Sequence, residues 1–97
     1  MTFDAVVELA GKKRTLEVLH TIDEAADPIR FSVIDESVET SSDIVSDRLK
    51  MLVGYNLLTR TEKNKRNVTY EMTSRGGAVL DYLREVESLL ERGRAQN

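Results

Sequence analysis

The chain contains no cysteine and no tryptophan, one proline, one histidine, two phenylalanines and three tyrosines among its 97 residues. Without cysteine there can be no disulfide, no thiolate metal site and no thiol nucleophile. His20 is alone, so no imidazole cage can form around a metal. Its place near the end of an amphipathic segment reads as core or surface filling. Gly76-Gly77 stands at a helix start and lacks the pattern of a phosphate-binding loop. Paired carboxylates occur everywhere in so acidic a chain and single out no catalytic pair. Apolar runs stop at two or three residues, which excludes a membrane span. The start, MTFDAVVELAGKKR, has no apolar stretch of the signal-peptide kind. These absences predict a cytoplasmic protein that is not an enzyme and has no metal or cofactor.

What is present is charge. Charged residues make up 32% of the chain and apolar ones 40%, a composition expected of one globular domain spanning residues 1–97. The net charge of −3, from 14 basic and 17 acidic residues, at first argues against a nucleic-acid partner. Its distribution argues otherwise. Residues 23–47 hold Asp23, Glu24, Asp27, Asp35, Glu36, Glu39, Asp43 and Asp47 against Arg30 alone, a net −7. Residues 48–75 hold Arg48, Lys50, Arg60, Lys63, Lys65, Arg66 and Arg75 against Glu62 and Glu71, a net +5. Such polarity bears on partners more than the total does.

Periodicity supplies the elements. Phe3, Val6, Val7 and Leu9 suggest a first helix, over about 3–10, ended near Gly11. Leu16, Val18, Leu19 and Ile22 have helical spacing within Lys12–Asp23. Asp27-Pro28 breaks the pattern before a short extended stretch at Ile29-Arg30-Phe31, and a short helix over about Ser32–Glu39 follows. Thr40 with Asp43 three residues on has the form of a capping box for a helix over about 41–55, whose broad face is Ile44, Val45, Leu49, Leu52 and Val53. Leu57–Thr61 and Asn67–Met72 read as strands around Lys63-Asn64-Lys65-Arg66. Thr73 caps a final helix over about 74–92, with a stripe of Val79, Leu83, Val86 and Leu90 flanked by Leu80, Tyr82 and Leu89. Two short helices across a tight turn and then a hairpin with a cationic tip make a mainly α fold, the winged helix-turn-helix.

Five segments carry a family resemblance over about Gly11–Leu83. Gly11-Lys12 with Leu16, Val18 and Leu19 is similar to a G-K-W-T-L-x-I-L opening, and Ile29-Arg30-Phe31-Ser32 to an L-R-F-S/T step. Val45–Leu52 resembles L-S-x-R-L-x-x-L. Tyr55–Arg60 stands where D-G-L-V-x-R is expected, with Asn56 in place of glycine. Val68–Gly76 is similar to V-E-Y-x-L-T-x-x-G. In order and at compatible spacings these resemble the HxlR-type winged-helix regulators, relatives of MarR- and PadR-like proteins. The N-terminal Cys-Pro of that family is missing, which removes its thiol chemistry. Lys13-Arg14 stands where the family has tryptophan, and the wing lacks the usual proline-containing extension.

The resemblance implies a homodimeric transcriptional regulator that binds double-stranded DNA at a near-palindromic operator. Polar residues near the start of a helix in the major groove can reach base edges. Here these are Ser41, Ser42, Ser46, Asp47, Arg48 and Lys50. Asp43 reads as a cap rather than a base contact. Asp47 can accept from cytosine, pair with Arg48 or Lys50, or cap. Arg48 either enters the groove or pairs with Asp35 or Glu36. The wing, about 60–68, offers Arg60, Lys63, Lys65 and Arg66 to the backbone or the minor groove. The terminal helices are expected to form the dimer through Val6, Val79, Tyr82, Leu83, Val86, Leu89 and Leu90. An effector would bind between the dimer helices and the winged domain. The competing function is a winged-helix protein-interaction module of the transcription machinery, using the acidic segment 23–47.

Overall fold

The computed structural model describes residues 2–95. Helices α1 (Asp4–Gly11) and α2 (Thr15–Glu24) lead into β1 (Ile29–Arg30) and α3 (Phe31–Ser37). Helix α4 (Ser42–Gly54), strands β2 (Leu58–Asn64) and β3 (Asn67–Met72) and helix α5 (Ser74–Ala95) complete the order. It is the order expected from the sequence, a mainly α fold with a small antiparallel sheet arranged β1-β3-β2.

Local chemistry sets the boundaries. Arg14 adopts a left-handed conformation (φ 68°) before α2, and Thr15, fully buried, donates its hydroxyl to the Lys12 carbonyl at 3.0 Å. Helix α3 starts at Phe31, immediately after β1 and one residue earlier than its spacing suggested. The expected capping box does not form at α4. Its N-cap is Ser41, whose Oγ accepts from the Ile44 N–H at 3.4 Å, so Thr40 stands outside the helix and Asp43 is not the cap. Asp43 is exposed in the first turn, where the helix dipole favours a negative charge. Strand β2 runs three residues past Thr61, to Asn64, with a bulge between Glu62 and Asn64. The turn is thereby reduced to Lys65-Arg66, and the Arg66 N–H donates to Asn64 Oδ1 at 3.0 Å.

The core lies where α2, α4 and the sheet meet. Val18, Leu19 and Ile22 of α2 pack with Ile34, Val38, Val45, Leu49, Leu52, Leu57, Leu58 and Tyr70. The 45, 49 and 52 positions are steps of four and three, which place one stripe of α4 inward. Each such side chain contributes about 1.5–3 kcal/mol on burial. Ser46, Asp47 and Lys50 are left outside that stripe.

The end of α4 and the start of α5 are joined at one point. Asn56 takes the left-handed conformation (φ 61°) that explains why it can occupy a position expected for glycine. Its carbonyl accepts from the Thr73 hydroxyl at 2.7 Å, and the same oxygen of Thr73 accepts from the Gly76 N–H at 2.9 Å. A Cβ on Gly76 would stand 2.1 Å from the Leu57 carbonyl oxygen and 2.6 Å from Met72 Sδ, so only glycine permits this approach.

Helix α5 leaves the core after about three turns. Leu80 is buried, Val79 and Leu83 pack partly against the core, and residues 84–94 are exposed. The overhang accounts for extents of 52 × 30 × 25 Å. Arg84 ties α5 to α2 through Asp23 Oδ2 and His20 Nδ1, each at 3.1 Å. His20 is therefore a surface side chain, with Glu24 3.9 Å away.

Candidate nucleic-acid interface

Helix α4 and the β2–β3 hairpin form two walls of one cleft. Ser46 and Lys50 of α4 line it together with Arg60 and Tyr70 of the hairpin, over Leu49 and Val53, enclosing about 260 Å³. Arg60 and Tyr70 are cross-strand partners, which fixes both side chains on the face turned toward α4. The Arg60 guanidinium lies against the Tyr70 hydroxyl and 3.3 Å from Glu62 Oε1. The Tyr70 contact first, and then Glu62, raise its pKa above the ordinary arginine value.

Four of the six α4 positions singled out in the sequence are engaged within the chain. Ser41 caps the helix, and Ser42 donates its hydroxyl to Asp35 Oδ2 at 2.7 Å. Arg48 does not pair with Asp35 or Glu36. Its Nε donates to the Lys13 carbonyl at 2.9 Å and its Nη1 to Asp47 Oδ2, with only 13% of its side chain exposed. Arg48 thus bridges α4 to the α1–α2 turn, where Lys13-Arg14 replaces tryptophan. Asp47 takes the pairing alternative among those open to it. Ser46 and Lys50 make no side-chain hydrogen bond or ion pair among the described residues, and both face the cleft.

The hairpin carries the other cations. Lys63, Lys65 and Arg66 are exposed and form no ion pair among the described residues. The one carboxylate between Arg60 and Arg66, Glu62, is held by Arg60. The tip is therefore an uncompensated positive charge on a short two-stranded arm. Such an arm can follow a phosphate backbone or enter a narrow groove.

The expected dimer residues occupy one side of the molecule. Val6 and Val79 face each other across an apolar groove of about 280 Å³ with Leu9 and Leu57 at its base. Tyr82, Val86, Leu89 and Leu90 are 73%, 49%, 58% and 65% exposed on the projecting part of α5. Leu83 packs partly against its own core. At the other end of this side the Tyr55 hydroxyl donates to Glu8 Oε1, linking the end of α4 to α1. That contact, then burial, then the Glu8 charge raise the Tyr55 pKa above its ordinary 10.0. Sequence reasoning missed it because the two residues lie far apart in the chain and neither belongs to a motif.

Among the described residues no group of three or more His, Cys, Asp or Glu could hold a metal ion, and no helix is long and apolar enough to cross a membrane.

Comparison with solved structures places this fold. A possible HxlR family transcriptional factor from Thermoplasma volcanium is 30% identical, with 90% of this chain and 82% of that chain covered at a TM-score of 0.71. The reduced form of the transcriptional regulator YodB from B. subtilis is 24% identical, covering 88% of this chain and 84% of that one at 0.73. A protein from Enterococcus faecalis named for the MarR family of transcriptional regulators reaches 0.79 at 17% identity, covering 98% and 90%. The latter two likenesses concern the fold alone. No family model matches the chain, and no curated protein does.

Proposed function

The chain belongs to the HxlR-type winged helix-turn-helix transcriptional regulators, and from that premise we propose that it is a homodimeric, sequence-specific DNA-binding regulator. Helix α4 enters the major groove, with Ser46 and Lys50 toward base edges. The wing lies on the adjacent backbone or minor groove through Arg60, Lys63, Lys65 and Arg66. Two protomers joined through α1 and α5 present their recognition helices about one helical turn apart, on a near-palindromic site.

The observation that carries this reading is the cleft itself. Lys50 on α4 and Arg60 on β2 line one concave surface, and the uncompensated tip continues from it. The acidic segment supports DNA over a protein partner, because half of its eight carboxylates already have partners within the chain. Asp23 and Glu24 pair with Arg84, Asp35 with Ser42 and Asp47 with Arg48.

The experiment is removal of Lys63, Lys65 and Arg66 by alanine together. Binding to a duplex selected from a random pool by the wild-type protein is then followed in gel shifts at several salt concentrations. The reading expects weaker binding and a slope of log K against log salt shallower by about 2.7 per protomer. Unchanged affinity and slope would remove the wing from the interface.

A further inference from the structure

Arg30 and Ser32 belong to the L-R-F-S-like step, yet nothing in the proposed interface uses them. Strand β1 ends after two residues, with Ile29 opposite Tyr70 and Arg30 opposite Thr69. Strand β3 extends beyond Thr69 to Asn67, so at this edge it loses its neighbour. The space left is a groove of about 290 Å³ between the β1–α3 junction and the wing turn. Arg30 and Ser32 line one wall and Lys65 and Arg66 the other, over an apolar floor of Phe31 and Val68.

The chemistry of this groove is one-sided. Three of its six lining residues are cations, one carries a hydroxyl, and none is acidic. Arg30, Lys65 and Arg66 are exposed and form no ion pair among the described residues, although 17 carboxylates are available in the chain. Arginine in an exposed, uncompensated position suits an anion with several oxygens, because its planar fork can donate two hydrogen bonds at once. The sheet order β1-β3-β2 puts this groove at the opposite edge from Arg60. The wing therefore has cations along both of its flanks and at its tip.

We infer that the groove between Arg30 and Ser32 and the Lys65-Arg66 turn seats a phosphodiester of the DNA backbone, a second phosphate site outside the recognition cleft. The inference rests on the DNA-binding reading above and deepens it. Arg30 acts as a positioning contact. It fixes how the wing lies on the duplex and carries no sequence information, since phosphate oxygens are the same at every step.

The test compares wild type, Arg30→Ala, Arg30→Lys and Arg66→Ala on the duplex selected by the wild-type protein and on a scrambled duplex of equal length. Arg30→Ala removes one contact per protomer, so the salt slope of the dimer becomes shallower by about 1.8. Affinity falls about tenfold or more on both duplexes, leaving their ratio unchanged. Arg30→Lys retains most of the slope, and Arg66→Ala behaves like Arg30→Ala. Thermal melts of all four proteins show that the loss is not one of folding. If the wild type binds the selected duplex while Arg30→Ala matches its affinity and slope, the site is refuted and the DNA reading stands. If Arg30→Ala changes the ratio between duplexes, or weakens binding only as far as its melting temperature falls, the site is likewise refuted. If no duplex is selected by the wild type, the DNA-binding reading fails first and the site with it.

Discussion

Replacing Arg48 by alanine separates a structural arginine from a groove arginine. Its Nε donates to the Lys13 carbonyl at 2.9 Å across 35 positions of sequence, and its side chain is 13% exposed. A hydrogen bond from a charged donor is worth about 1.5–3 kcal/mol. The Lys13 carbonyl lies in an exposed turn and regains water when the arginine is lost, which favours the lower end of that range. The paired Asp47 is 56% exposed, so the ion pair adds at most about 1 kcal/mol. The low exposure of the side chain covers its methylene stem as well, so its loss exposes apolar surface. Together these give a destabilisation of about 1.5–2.5 kcal/mol, or a fall in Tm of about 6–15 °C for a domain of this size. Arg48→Lys should recover little of it, because an ammonium cannot reproduce the Nε and Nη1 directions. The assay is a thermal melt followed by circular dichroism, paired with a gel shift well below the melting range. The expected result is a lowered Tm with DNA affinity changed less than about threefold, roughly 0.6 kcal/mol. An unchanged Tm with affinity lost tenfold or more would refute the reasoning and return Arg48 to the groove.

Four further outcomes follow from named contacts. Gly76→Ala places a methyl 2.1 Å from the Leu57 carbonyl oxygen and should destabilise by about 3 kcal/mol or more in denaturant titration, whereas Gly77→Ala, in open space, should not. Asn56→Gly should leave stability within about 0.5 kcal/mol of wild type, and Asn56→Ala should cost about 1 kcal/mol for its left-handed backbone, both read from the same titrations. Tyr55 donates to Glu8 in its neutral form, so its folded pKa lies above 10.0 and the linked stabilisation is present below pH 10 and lost as pH rises through the higher value. An absorbance titration should show a late-ionising tyrosine phase, and Tyr55→Phe should abolish it. Leu89→Glu with Leu90→Glu, at two exposed apolar positions of α5, should convert a dimer into a monomer in sedimentation without lowering the secondary-structure content.

Much of the fold was legible because its determinants are local. The 45, 49 and 52 steps of α4, the Thr73 cap of α5 and the Asn56 stop each depend on residues within a turn or two. What sequence reasoning misplaced depends on longer reach or finer competition. Thr40 and Ser41 are adjacent hydroxyls, and the second wins the cap because its backbone is extended (φ −73°, ψ 151°) with the Ile44 N–H within reach. The hairpin runs past Thr61 because Glu62 pairs with Val68 and, across a bulge, Asn64 with Asn67, a register that composition alone does not reveal. Of the candidate site residues, Ser46, Lys50 and Arg60 come together along one cleft, because α4 and the hairpin that carry them are each set by local pattern. The partner of Arg48 was not legible, because a backbone carbonyl carries no sequence signature. The groove at Arg30 was hidden for a similar reason. It exists only because a two-residue strand leaves the longer β3 uncovered.

Binding of DNA by the cleft and wing through phosphate neutralisation as well as groove contacts is tested most directly by the salt dependence of wild-type binding to the selected duplex. With about five phosphate contacts per protomer, four from the wing and one from Arg30, log K should fall against log salt with a slope near −4.5 per protomer, about −9 for a dimer. A slope near zero, or no duplex bound more tightly than a scrambled one, would contradict it.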